Sequence, residues 1–289
     1  MRRGRRVSFS MFSVLVGGLL LLAVSSVTVI GCGPSEPALH CYVGGTMRPA
    51  MARLSEMYQE RTGQRIDIDY AGSGQLFETM KLNERGDLYV AHDPYYQAVM
   101  LQEIGVQGWL VAVLEPVIVV QKGNPKGITG FRDLAREDVS LVLPHAVYST
   151  TGWIVSAMAE KAGITEQIKA NVSTRQRGGT QAAEQIQLGM ADAAVVWNAV
   201  HHARSDDLDR VDIEPELREV DSITVATFGE CDLQNTRVTV KTLKYSEQLE
   251  AATAFAEFLA SEEAAKIWEE FGFLPPGGVR LPAVERPNR

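Results

Sequence analysis

The sequence is poor in the residues and strings from which many catalytic and metal sites are built. It has five histidines and three cysteines in 289 residues, and the histidines do not show the spacing of a zinc site. No Gly-Lys-Ser or Gly-Lys-Thr string closes a phosphate-binding loop, and the glycine-flanked serines lack the spacing of a nucleophile elbow. We therefore expect no resident metal, no cofactor and no enzymatic activity.

Basic residues are too few for a nucleic-acid-binding protein. The chain has 28 Lys and Arg against 36 Asp and Glu. Four of the arginines lie in the first six residues, so the rest of the chain carries 24 basic and 36 acidic residues, a net charge of −12. Because a phosphate backbone requires clustered cations, this charge argues against nucleic acid as a partner. A small anion would have to be held by local dipoles, against the field of the whole protein.

The N-terminal segment has the composition of an export signal. Its arginines precede an apolar run over residues 11–30, which is also long enough to be an uncleaved membrane anchor. Gly31 stands directly before Cys32, and a segment rich in Gly, Pro and Ser follows. This arrangement resembles the lipobox of bacterial lipoproteins. We therefore predict a signal peptide over 1–31, lipidation of Cys32, a tether over 32–37, and export to the outer face of a membrane.

Two cysteines are left once Cys32 is assigned to the lipid. Cys41 and Cys231 form an even pair in a chain predicted to be exported, and disulfides form outside the cytoplasm. The sequence does not show whether they meet. A disulfide and two buried free thiols are both compatible with it.

From residue 38 onward, short apolar runs alternate with amphipathic helical patterns. Runs such as 39–45, 139–144 and 192–198 are continuous and apolar, which is typical of strands that are buried on both faces. The alternation predicts an α/β protein with largely parallel sheets. Near the C-terminus the pattern predicts two helices, the second beginning after Ser261.

Four predicted strand-to-helix junctions carry glycine and hydroxyl residues. They are Gly44-Gly45-Thr46, Gly72-Ser73-Gly74, Ser149-Thr150-Thr151-Gly152 and Gly178-Gly179-Thr180. Each combines free backbone N–H groups, a hydroxyl and the positive end of a helix dipole, which together can hold an anion. At any single junction, the alternative is a hydroxyl that only caps its helix. Four junctions at the carboxyl ends of strands, where open α/β sheets bind ligands, favour a shared anion site.

The most distinctive segments of the chain are YVGGTMRPAMARLSEMYQERTG, IDYAGSGQLFETM, GDLYVAHDPYYQAVM, VIVVQKGNPKGITGFRDLA, GGTQAAEQIQLGMADAAVVWNA and AATAFAEFLASEEAAKIWEEFGF. They resemble the molybdate- and tungstate-binding lipoproteins and periplasmic proteins that feed ABC transporters. The resemblance runs from about residue 39 to 273. It implies a two-lobe type II periplasmic-binding fold, with lobe one at 38–115 plus 225–289 and lobe two at 116–224. The ligand would lie in the cleft between the lobes, and the permease would read their closure.

The resemblance also implies a set of ligand-binding residues. Thr46 matches the hydroxyl residue that opens the family's first helix, and Ser73 matches the serine of the next turn. Thr151 and Thr180 match turns that offer backbone N–H groups. Trp197 stands where the family has a tyrosine, and its indole either donates a hydrogen bond or forms a wall. Neutral donors of this kind would replace the water shell of a fully deprotonated dianion.

The sequence thus predicts a monomeric binding lipoprotein that captures molybdate or tungstate for an ABC permease. Trp197 and Thr151 depart from the pattern of the family, and a second hypothesis therefore remains open. In it, the same fold binds sulfate, phosphate or a small organic anion. A third reading is a sensing lipoprotein whose cleft serves a partner other than a permease.

Overall fold

The structure, a computed structural model, describes residues 37–146, 149–218, 223–225, 229–231 and 236–281. The predicted signal peptide and the lipidation site at Cys32 lie outside these residues. Within the described ranges, no helix has both the length and the apolar character needed to cross a membrane.

The first sheet has five strands. They are β1 (Leu39–Gly44), β2 (Ile66–Ala71), β3 (Leu88–His92), β4 (Gly105–Leu114) and β12 (Thr236–Leu243). Their order across the sheet is β2-β1-β3-β12-β4. β1 is parallel to β2 and β3, whereas β12 is antiparallel to β3 and β4. The C-terminal part of the chain thereby returns to the sheet that the N-terminal part begins.

The second sheet also has five strands. They are β5 (Pro116–Gln121), β6 (Leu141–Pro144), β7 (Val172–Gln176), β8 (Ala193–Trp197) and β9 (Leu208–Val211). Their order is β7-β6-β8-β5-β9. A single residue, Glu115, separates β4 from β5, so the chain changes sheets at the Glu-Pro break. A short hairpin, β10 (Ile223–Val225) and β11 (Gly229–Cys231), precedes the return to the first sheet.

The prediction of largely parallel sheets is wrong at β5 and β12. β5 is antiparallel to both of its neighbours, β8 and β9, and β12 is antiparallel to β3 and β4. Both strands lie inside their sheets, and β12 is buried at all eight positions. A continuous apolar run reports that both faces of a strand are covered, and it says nothing about the direction of the strand.

Helices cover both faces of the first sheet and flank the second. They are α1 (Arg48–Thr62), α2 (Ser73–Asn83), α3 (Tyr95–Leu101), α4 (Thr150–Ala162), α5 (Thr165–Asn171), α6 (Gly179–Gln187), α7 (Asn198–His202), α8 (Pro215–Arg218), α9 (Leu249–Leu259) and α10 (Glu262–Glu270). Two 3₁₀ turns occupy Gly45–Met47 and Phe131–Ala135. α1, α9 and α10 pack on one face of the first sheet, and α2 and α3 pack on the other. Cys41 lies in the first of these layers as a buried free thiol.

Candidate functional site

A cleft of about 740 Å³ is lined by residues from both sheets. The turns that follow β1 and β2, at the starts of α1 and α2, line it on the side of the first sheet. The starts of α4 and α6 and the end of β8 line it on the side of the second. Ligands of open α/β proteins bind at such carboxyl ends of strands, and the volume suits a small molecule.

Four of the five predicted ligand residues lie in the lining of this cleft. Thr46 is in the 3₁₀ turn before α1, and Ser73 is the first residue of α2. Thr180 is in the first turn of α6, and Trp197 ends β8. The fold thus brings together junctions that are up to 151 positions apart in the sequence. That these residues bind a ligand stays a prediction.

Thr151 does not line the cleft. α4 begins at Thr150, inside the predicted junction Ser149-Thr150-Thr151-Gly152, and Thr151 is fully buried in its first turn. The hydroxyls of Thr151 and Ser149 are hydrogen-bonded to each other at 2.6 Å. Ser149 and Thr150 are the lining residues at this junction. The hydroxyl of Thr150 also donates to the carbonyl oxygen of Asp93 at 3.1 Å, which ties α4 to the residue that follows β3.

Ser73 has a buried hydroxyl that finds no hydrogen-bond partner in the described part of the chain. The residue is only 6% exposed. Gly44 makes room for it, since a Cβ at that position would lie 2.7 Å from Ser73 Oγ. The hydroxyl of Tyr89 donates to the carbonyl oxygen of Ser73 at 2.7 Å and anchors the start of α2 to β3. A buried hydroxyl without a partner costs free energy, and an anion could supply the missing acceptor.

Side chains do not cap the helices that start at the cleft. The N-cap positions of α1, α2, α4 and α6 make no side-chain hydrogen bond to the helix. At α10, by contrast, the hydroxyl of Ser261 accepts a hydrogen bond from the backbone N–H of Ala264 at 3.2 Å, which confirms the predicted cap. Backbone N–H groups at these starts, such as those of Ser73 and Gly74, therefore have no capping side chain and lie at the positive end of the helix dipole, whereas the N–H groups of Arg48 and Gly152 already donate to the carbonyl oxygens of Gly45 and Ser149.

Two arginines that the sequence reasoning missed also line the cleft. Arg48 begins α1, with its guanidinium carbon 4.2 Å from the centroid of the Tyr70 ring. Arg177 lies across the cleft, in the turn between β7 and α6. Neither is in an ion pair with a carboxylate among the described residues. Among the described lining residues Glu78 is the one acid, and Lys81 already pairs with it at 3.4 Å. The described lining thus has two arginines and one acid, in a protein that is acidic overall.

The local sequence held a signal for both arginines. Arg48 stands two positions after Thr46, and Arg177 directly precedes the Gly178-Gly179-Thr180 junction. A cation beside a glycine–hydroxyl turn adds charge-assisted hydrogen bonds to the donors of a helix start.

His92 is a further lining residue that was not predicted. Burial lowers the pKa of its imidazole to about 4, so the ring is neutral at pH 7. Its Nδ1 donates to the carbonyl oxygen of Asp93 at 2.8 Å. The ring centroid lies 5.4 Å from that of Trp197. His92 and the buried Trp197 thus form an uncharged aromatic wall of the cleft.

The chain matches a known protein family over most of the described residues. The family profile of the bacterial extracellular solute-binding proteins matches residues 39–274. The chain belongs to this family. Membership confirms the prediction that the chain is a solute-binding protein. It also indicates that the protein acts outside the cytoplasm, in agreement with the predicted export.

The names of similar proteins mention different ligands. The molybdate-binding protein ModA of Mycobacterium tuberculosis is 20% identical over 283 residues, which cover 91% of this chain and 95% of ModA. The sulfate-binding protein SubI of the same species superposes with a TM-score of 0.69 at 17% identity, over 83% of this chain and 87% of SubI.

A third similar protein is PEB3 of Campylobacter jejuni in a structure with bound L-phospholactate. It has a TM-score of 0.65 at 20% identity, and the match covers 82% of this chain and 99% of PEB3. These likenesses confirm the two-lobe type II periplasmic-binding fold. The names of ModA and SubI describe binding proteins.

Proposed function

We propose that the protein is an exported lipoprotein, anchored through Cys32, that captures a tetrahedral oxyanion in the cleft and delivers it to an ABC importer as a monomer. Molybdate or tungstate is the preferred ligand, on the strength of the sequence resemblance and the similarity to ModA. One observation carries the proposal. The hydroxyl of Ser73 is buried without a partner among the described residues, at the uncapped start of a helix that opens on the cleft.

The proposed site binds an anion by replacing its water shell with fixed donors. Ser73 and Thr46 offer hydroxyl and N–H groups from the first sheet, and Thr180 offers them from the second. Arg48 and Arg177 add positive charge from the same two sides. Donors held by helix starts need little rearrangement, which favours their exchange for water. Because the donors come from both sheets, a bound anion favours closure of the lobes, the state that a permease would recognise.

Calorimetry on the chain without residues 1–32 tests this proposal. The protein is titrated with molybdate, tungstate, sulfate and phosphate at constant ionic strength. We expect binding of molybdate or tungstate, with sulfate and phosphate weaker by roughly tenfold or more, a difference of about 1.4 kcal/mol. A site that prefers sulfate or phosphate would keep the class of function and replace the ligand. Absence of heat with all four anions would refute oxyanion capture.

A second candidate ligand is a small phosphorylated organic acid. The two unpaired arginines and the volume of about 740 Å³ favour it, because a five-atom oxyanion fills little of that space and needs fewer cations. The similarity to PEB3, whose structure holds L-phospholactate, is in accord with this ligand. The phosphoryl group would lie at the helix starts, and the carboxylate would reach Arg48 or Arg177 as a charge-assisted pair.

Arginine variants separate the two candidates. Arg48→Gln and Arg177→Gln should weaken phospholactate by roughly tenfold each, since a hydrogen bond to a charged group contributes about 1.5–3 kcal/mol. Molybdate affinity should change less, because helix-start donors would hold it. Arg53→Gln is the matched control, since Arg53 lies on the same helix and pairs with Glu56 at 3.0 Å away from the cleft lining. Equal losses for both ligands would contradict the two-part assignment.

A further inference from the structure

Lys241 is a fully buried lysine in the middle of the first sheet. Its side chain has no exposed surface, and its Nζ finds no hydrogen-bond partner in the described part of the chain. The Nζ lies 4.7 Å from the centroid of the Tyr89 ring, to which a cation is attracted. An ammonium group in such a place is costly unless another charge compensates it.

Tyr89 connects this lysine to the candidate anion site. Lys241 on β12 and Tyr89 on β3 are paired across neighbouring strands. The ring of Tyr89 faces the ammonium, and its hydroxyl donates to the carbonyl oxygen of Ser73 at 2.7 Å. Only one side chain therefore separates the amine of Lys241 from the first residue of α2.

The nearby acid does not neutralise Lys241. Asp93 accepts hydrogen bonds from Arg237, at 2.7 Å from Nε and at 3.0 Å from the backbone N–H. The single negative charge of the Asp93 carboxylate therefore also compensates the guanidinium of Arg237. Burial raises the pKa of Asp93 to about 6, against the effect of Arg237. Other titratable groups on this face of the sheet and on the elements that pack over it include His40, which pairs with Asp69, His92, Tyr42, Tyr89, Tyr95, Tyr245, Asp87 and the Glu78–Lys81 pair.

We propose that Lys241 is the buried counter-charge of the anion, so that the anion at the start of α2 and a proton on Lys241 stabilise each other. This inference rests on the proposed function, because it requires an anion beside Ser73. It makes solute capture sensitive to the proton concentration outside the cell. It also gives a role to a charge that the sequence places inside a β-strand.

The direction of the effect follows from linkage. Burial lowers the pKa of Lys241 to about 7 in the free protein, and Asp93 opposes the shift. An anion nearby favours the charged form and raises the pKa again. Binding above about pH 7 therefore takes up protons, and affinity falls as the pH rises through this window. For a roughly tenfold coupling, the uptake is about half a proton near pH 7.5.

The test is calorimetry on the mature chain at pH 7.5, in two buffers that differ in ionisation heat. The probes are molybdate and sulfate, which carry no titrating proton at this pH. Lys241→Met removes the charge and keeps an unbranched side chain. Lys244→Met is the matched control, because Lys244 is exposed and its Nζ lies 5.3 Å from the ring of Tyr245.

For the wild type and the Lys244 variant, we expect a binding heat that depends on the buffer. In Lys241→Met this dependence should disappear, and affinity at pH 7 should fall several-fold. A wild-type heat that is equal in both buffers, or an affinity that is constant from pH 6.5 to 8.5, overturns the inference while leaving anion capture intact. These two wild-type measurements decide the matter even if Lys241→Met does not fold. Absence of heat with both anions overturns this inference together with oxyanion capture.

Discussion

In the half of the molecule built on the first sheet, three buried side-chain atoms have no hydrogen-bond partner among the described residues. They are Ser73 Oγ, Tyr42 Oη and Lys241 Nζ. In the described part of the half built on the second sheet, the buried polar side chains have hydrogen-bond partners. Asn198 accepts from the backbone N–H of Glu115 at 3.1 Å and donates to the carbonyl oxygen of Gly272 at 2.8 Å. The hydroxyls of Thr150 and Thr151 are also hydrogen-bonded.

This difference indicates that the two halves contribute differently to a ligand site. Unsatisfied buried groups lower stability, and proteins keep them mostly where a ligand uses them. Ser73 lines the cleft, and Lys241 connects to it through Tyr89. The first half thus holds groups that an anion would complete. The second half offers Arg177 and the start of α6 from a framework whose own bonds are already made.

The largest effect on binding is expected from crowding Ser73. In Gly44→Ala, the new Cβ would lie 2.7 Å from Ser73 Oγ and 2.6 Å from Met47 Cε, so the hydroxyl or the start of α1 must move. Loss of the hydrogen bond to the charged anion, about 1.5–3 kcal/mol, predicts a loss of affinity of up to roughly a hundredfold, and overpacking of about 1–3 kcal/mol lowers the stability of the free and the bound protein alike. Calorimetry measures the loss. Gly278→Ala is the control, because Gly278 lies outside the cleft lining and no atom lies within 4 Å of its Cβ position. Equal affinities for both variants would remove this crowding from the explanation.

A smaller effect is expected from removing the Ser73 hydroxyl. Ser73→Ala should weaken oxyanion binding by roughly tenfold and leave the free energy of unfolding of the free protein unchanged or slightly increased, since no protein bond is lost. Ser261→Ala should do the reverse, with an unchanged affinity and a loss of about 1 kcal/mol in unfolding free energy, because that serine caps α10. Calorimetry and denaturant unfolding measure the two quantities. If Ser73→Ala and Ser261→Ala both lowered the free energy of unfolding and left the affinity unchanged, Ser73 would have only a structural role.

The smallest effect is expected from a pair of tyrosine hydroxyls in the first half. Tyr42→Phe removes a buried hydroxyl without a partner in the described structure and should leave stability unchanged or raise it by up to about 1 kcal/mol. Tyr89→Phe removes the bond to the carbonyl oxygen of Ser73 and should lower stability by about 1 kcal/mol. Denaturant unfolding compares the two variants. Equal losses would contradict the contrast between satisfied and unsatisfied groups.

The fold was predictable from the sequence where burial and local pattern coincide. Apolar runs of the sequence form β1, β3, β6 and β8, and α10 starts directly after Ser261, as predicted. β7, with the sequence VSTRQ, was not predicted because it is an edge strand without a fully buried position. The direction of β5 and β12 was also missed, since strand direction depends on where a distant part of the chain returns to the sheet.

Candidate site residues were predictable only as chemical types at junctions. Glycines and hydroxyls between strands and helices indicated Thr46, Ser73 and Thr180, and all three line the cleft. At the third junction, the start of α4 decides which residue faces the cleft, and it selects Thr150 over Thr151. A shift of one residue turns a side chain by about 100° around a helix, and no local pattern fixes that phase to one residue.

By itself, the sequence determined the α/β class, the helix starts rich in glycine and hydroxyls, and the acidic charge that argues against nucleic acid as a partner. These properties depend on composition and on neighbours along the chain. Tertiary structure alone decided that Arg48 and Arg177 line one cleft, that the hydroxyl of Ser73 has no partner among the described residues, and that Lys241 lies buried against the ring of Tyr89. Burial and hydrogen-bond satisfaction depend on residues that are far apart in the chain, and they exist only once the sheets have formed.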